Sequence, residues 1–160
     1  MLLTTLGVIA LLLVISAFFS GSETALTAVS RGRMHQMEKD GSRAARNVNR
    51  LVANREKVIG ALLLGNTFIN ILASSLATQL LETRLGPRAV AVTTAVMTVT
   101  ILVFAEVLPK TLAIARTDQF ALAVAAPLRQ VVRVLAPITF SRSATRRLTL
   151  RAARLPSFSS

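Results

Sequence analysis

Residues 2–29 read LLTTLGVIALLLVISAFFSGSETALTAV, a run in which Glu23 is the only charged residue. A helix needs ~20 mostly apolar residues to cross a hydrocarbon core ~30 Å thick, and this run exceeds that length. Two further stretches qualify by the same measure: VIGALLLGNTFINILASSLATQLL at 58–81 and AVAVTTAVMTVTILVFAEVLPKTLAIA at 89–115. A secretory signal would carry a basic residue ahead of a short apolar core. Here no Lys or Arg precedes Arg31, and the run is too long, so the first stretch is expected to stay as a span. The resulting fold class is an all-α membrane protein with three transmembrane helices.

Working outward, the rest of the 160-residue chain agrees. Hydrophobic residues make up 52% and charged residues 16%, below the quarter usual in soluble domains. Mean hydropathy is +0.59. No cysteine is present, which excludes disulfides and thiol chemistry. The net charge of +12 invites a nucleic-acid partner, but its distribution argues against one. Residues 31–57 hold eight Lys and Arg, the apolar run at 58–81 holds none, and residues 116–160 hold eight more. Basic blocks alternating with apolar spans are the pattern of loops on the cytoplasmic face. The long loop and the tail therefore belong in the cytoplasm, and the N-terminus lies outside.

Inside the long loop, Ser30–Lys39 and Ser42–Asn54 read as two short helices separated by the turn signal Asp40-Gly41, with Ser42 as an N-cap. His35 sits among charges there and reads as a solvated residue. Phe120–Phe140 is apolar but interrupted by Pro127 and Pro137, and Arg129 and Arg133 fall four apart on one face. That composition suits an amphipathic helix at the membrane interface, with a fourth span as the alternative. Residues 141–160 form a basic, serine-rich tail with little pattern, set apart from a membrane domain at 1–140.

Ionisable groups at membrane depth are costly and mark a pathway, a site or a partner. The spans contain three: Glu23, Glu106 and Lys110. Ser16, Ser20, Glu23 and Thr27 share one helical face, and Asn66, Asn70 and Ser74 share another. Three helices with polar stripes bury them best against one another. The pooled donors are carboxylates, amides and hydroxyls, a set that suits Mg²⁺ or Ca²⁺, and sodium less distinctively, but not zinc or copper. Pro109 loosens the third helix, and freed carbonyls at this depth belong beside a cavity or an ion. Competing readings stay open at each position. Ser16 and Gly65 serve close helix packing, the asparagines bond between helices without an ion, Glu106 pairs with Lys110, and Glu23 is hydrated near the interface.

FFSGSETAL at 18–26, GALLLGNTFINILAS at 60–74 and FAEVLPKTLA at 104–113, in this order on successive spans, resemble the transmembrane (DUF21) domain of the CorC/CNNM magnesium transporters, also called haemolysin-like proteins. The resemblance covers about residues 3–140. It implies a homodimer whose protomers have three transmembrane helices and a juxtamembrane helical belt in the cell membrane. It implies Mg²⁺ export, exchanged for Na⁺, through a dehydrated ion site. Carried onto this chain, the ligand positions are Ser20, Asn66, Asn70 and Glu106. Glu23, Thr24, Pro109 and Lys110 fall beside them as supporting or gating groups. Two residues depart from the pattern: Ala105 stands where glycine is usual and Thr67 where asparagine is common. Relatives usually continue into CBS and CorC/HlyC domains. The tail here resembles neither, so the expectation is a chain lacking them, with no nucleotide binding. A non-transporting Mg²⁺-sensing scaffold or regulator is then the alternative function. No nucleophile–base pair is present, and an enzyme is not expected.

Overall fold

The computed structural model describes residues 2–139, and within them every regular element is helical. Helix α1 spans Leu2–Ala28, α2 Arg31–Lys39, α3 Arg43–Ala53 and α4 Arg55–Leu85. A 3₁₀ turn at Gly86–Arg88 leads to α5 at Ala89–Thr100. A π-helical segment, Ile101–Val107, then passes into α6 at Leu108–Ala115, and α7 covers Thr117–Thr139. The basic tail at 141–160 lies outside the described residues.

Two runs are long and apolar enough to cross a membrane, Leu2–Ala28 and the 61 residues Arg55–Ala115. As one straight rod the second would measure ~90 Å at 1.5 Å per residue, far more than a bilayer needs. It is not straight. Gly86 adopts φ +56°, a value that favours glycine. Beyond it the chain folds back, so that Ala73 and Ala77 of α4 pack with Met97 of α5 and Ile9 of α1. Helix α7 has 23 residues but is not among the runs apolar enough to span.

The distribution of side chains is the inverse of a soluble bundle. Ser16, Ser20, Ser22, Ala25, Ala73, Ala105 and Ala113 are buried between helices, while Leu3, Val14, Phe68, Ile71, Val99, Phe104 and Ile114 face outward. Small residues let helix backbones approach closely where lipid removes any hydrophobic gain from burying large ones. Thr24, Thr27, Thr78, Thr94, Thr100 and Thr111 each return their hydroxyl to the carbonyl four residues earlier, which satisfies these donors within their own helices.

The large buried side chains gather instead under the loop helices. Met34, Val48, Val58, Leu62 and Leu128 are all essentially inaccessible and belong to one cluster. Helix α3 buries Ala45, Val48, Leu51 and Val52 and turns Arg43, Arg46 and Arg50 outward. Ser42 caps it by accepting from the Ala45 amide at 3.3 Å, as the sequence predicts. Gly41 takes φ +93° in the expected turn. Arg129 of α7 donates to Asn47 of α3 at 3.1 Å. Neither expected break, at Pro137 or at Pro127, occurs, and Pro127 shows why. Helix α7 runs through it, because Ala121, Val124, Ala125 and Leu128 form a continuous inward face whose packing outweighs the one lost backbone bond.

Asp118, at the start of α7, ties the loop to the spans. Its carboxylate accepts from Arg33 at 2.8 Å and from the Ser30 backbone N–H at 3.3 Å, ahead of α2. Arg33 is mostly exposed, so screening keeps the pair weak. Asp118→Ala is expected to lower stability by about 1 kcal/mol or less, and to raise amide exchange in the first turn of α2, read by hydrogen–deuterium exchange.

Gly21 supplies a close approach. A Cβ there would lie 2.9 Å from the Phe120 ring and 3.4 Å from the Pro109 carbonyl. Gly21→Val should therefore push α7 off α1 and cost about 1–2 kcal/mol by overpacking, seen as a lower Tm in detergent. A Tm equal to that of the parent would show that the contact has room to spare.

Candidate ion site

Ser16 on α1 faces α4 one turn before Ser20. Its Oγ lies 2.5 Å from Asn66 Oδ1 and 2.7 Å from Asn70 Oδ1. A hydroxyl has one proton to donate, so it serves one carbonyl and leaves the other to be met by an amide rotation or by a cation. Ser16 is fully buried, which makes that shortage of donors matter. Ser20 is also buried, and its Oγ has no hydrogen-bond partner among the described residues. Thr24 spends its hydroxyl on the Ser20 carbonyl at 3.1 Å and does not aim it at the asparagines.

Asn66 and Asn70 also line a widely open cavity of about 740 Å³ between α4, α1 and the third apolar run. Glu23, Glu106 and Lys110 line it, as do Ser74, Ser75 and Thr78. The structure thus brings five of the eight sequence-singled residues to one space: Asn66, Asn70, Glu106, Glu23 and Lys110. Ser20, Thr24 and Pro109 do not line it. Lys110 forms no ion pair with Glu106 among the described residues. Also among them, no three His, Cys, Asp or Glu converge. The donors are therefore two carboxylates set among neutral oxygens.

Glu106 owes its position to the π segment. An i→i+5 turn inserts one extra residue and rotates the residues beyond it by about 100° relative to an α-helix. It stands directly ahead of Pro109, whose missing N–H cannot close the α-helical bond to Ala105. Ala105 is fully buried, so its methyl group fits where the resemblance leads one to expect glycine. Sequence reasoning missed the π segment, and it set Ser16 on the polar face of the first span, with close packing as a competing reading, without counting it among the ligand positions. The signal for Ser16 was its place on one face with Ser20 and Glu23.

The chain matches the sequence profile of the cyclin M (CNNM) transmembrane N-terminal domain over residues 7–159. It belongs to the CNNM family. Among curated CNNM-like relatives it is 38% identical over 137 residues to the UPF0053 inner membrane protein YfjD of Escherichia coli, covering 86% of this chain and 32% of that protein. It is 30% identical over 158 residues to the UPF0053 protein YhdT of Bacillus subtilis, covering 90% and 34%. A DUF21 domain-containing chloroplastic protein of Arabidopsis thaliana shares 31% over 132 residues, covering 82% and 20%. The chain spans about a third or less of the length of these relatives. Membership of the CNNM transmembrane domain family, with two apolar helical runs, makes this a membrane protein.

Proposed function

We propose that the chain is the ion-carrying membrane part of a Mg²⁺ exporter exchanging Mg²⁺ for Na⁺, with Ser20, Asn66, Asn70 and Glu106 holding the dehydrated cation. One observation carries this reading: Ser16, Asn66 and Asn70 crowd three oxygens around a single hydroxyl proton, at the edge of a cavity that also holds Glu106. Surplus acceptors and a carboxylate are what a hard cation requires, because Mg²⁺ gives up its water only for several well-placed oxygens at about 2.0–2.1 Å. Ser20, one turn beyond Ser16 and outside the cavity lining, has a buried hydroxyl without a partner among the described residues, which supports a further ligand on α1 once the helices shift to close on the ion.

In this mechanism Mg²⁺ enters the cavity from the side of α2 and α3, exchanges water for side-chain oxygens, and leaves when the helices reopen on the other side. The excess of basic residues in the loop supports an orientation in which that side faces the cytoplasm across the inner or plasma membrane, with the N-terminus outside. We read the working form as a homodimer of three-span protomers ringed by α2, α3 and α7, which rests on the resemblance to CorC/CNNM domains. No enzymatic step is invoked.

The test is flux from proteoliposomes of the purified chain loaded with a Mg²⁺-sensitive dye. Mg²⁺ movement driven by an opposing Na⁺ gradient is expected. Mg²⁺ binding without movement would instead identify a sensing scaffold.

A further inference from the structure

The transport reading uses one of the three charged side chains in the cavity. Glu23 of α1, Glu106 of the π segment and Lys110 of α6 all line it and are all half-buried. Lys110 pairs with neither carboxylate among the described residues, where the ion pairs are Arg33–Asp118 and Arg46–Glu38. An ammonium this far inside an apolar run is costly without a counter-charge. It stands four residues after Glu106, the spacing and order in which a glutamate and a lysine meet most favourably on a helix. Its four-carbon stem is flexible enough to reach that carboxylate or to leave it.

We propose that Lys110 is a tethered counter-charge: its ammonium, lining the same cavity without pairing to either carboxylate, offsets one of their two negative charges and swings aside as Mg²⁺ enters. This inference rests on the Mg²⁺ reading above. Formally the three side chains carry one net negative charge, so a dication reverses the charge of the cavity rather than cancelling it. The residual positive charge opposes tight holding of Mg²⁺. A monovalent cation leaves the cavity neutral. Lys110 therefore sets how firmly the dication is held and how readily it is released.

The experiment is isothermal titration of Mg²⁺ into the purified chain, with flux and Tm measured on the same samples. Lys110→Met is expected to bind Mg²⁺ about tenfold more tightly, since a like charge nearby is removed, and to move it more slowly. Lys110→Arg keeps the charge and should keep the affinity. The double variant Glu23→Gln/Lys110→Met restores the net charge and should return to within about threefold of the parent, a compensation that a packing role would not produce. A parent chain that binds Mg²⁺ with an affinity that Lys110→Met leaves unchanged or weakens overturns the counter-charge but not the ion site. A parent chain that binds no Mg²⁺ overturns both. If Lys110→Met fails to fold, the double variant and Lys110→Arg decide: an affinity for either outside about threefold of the parent overturns the proposal.

Discussion

Glu106→Ala is expected to abolish Mg²⁺ flux in proteoliposomes, a fall of about a hundredfold or more, while helix content and Tm stay near those of the parent. The carboxylate supplies the formal negative charge among the proposed ligands, and neutral amides cannot replace it against a dication that binds its water strongly. Charged hydrogen-bonding groups contribute about twice what neutral ones do, and here the partner carries two charges. Folding should tolerate the change because Glu106 is half-buried at a cavity wall and holds no ion pair among the described residues. Unchanged flux would remove Glu106 from the site and leave Glu23 as the remaining carboxylate in the cavity.

The second large effect belongs to Ser16. Ser16→Ala should weaken Mg²⁺ binding about thirtyfold, equivalent to ~2 kcal/mol, because the half-buried Asn66 and Asn70 side chains lose the one hydroxyl on which both converge. Their amides would then turn toward each other or toward the cavity, and the ligand oxygens would have to be reoriented on binding. Calorimetric titration reads the affinity. Thr27→Ala, which removes an exposed hydroxyl bonded only to its own helix, should leave it unchanged. Equal affinities for the two variants would mean that the asparagines are held by packing alone.

Much of this architecture is legible in the residues. The three apolar runs, the loop helices and the cap at Ser42 come from composition and spacing, since each depends on signals within a few residues. The grouping of Asn66, Asn70 and Glu106 is legible because intervals of four place the asparagines on one face, and a lone carboxylate in a span has few places to go. Other features depend on contacts between helices. A serine inside a span has the same local signature whether it packs or bonds, so Ser16 acquires its role only when α1 meets α4. Nothing local marks an i→i+5 turn; Pro109 signals that the ladder is disturbed, not that the disturbance takes up an extra residue upstream. Pro127 misleads for the complementary reason. A proline reads as a break until the packing of Leu128 and its neighbours is known.

Between α6 and α7 stands Arg116 alone, and its carbonyl already accepts from the Phe120 amide at 2.9 Å. One residue spans at most ~3.6 Å, so there is almost no slack between the helix beyond Glu106 and the helix that packs on α3 and the loop. Sliding the third apolar run by a single turn, ~5.4 Å, exceeds that play. The two helices are therefore mechanically in series. Whatever shifts Glu106 along its axis must also tug on α7, and a load applied to α7 from the water side is felt at the cavity.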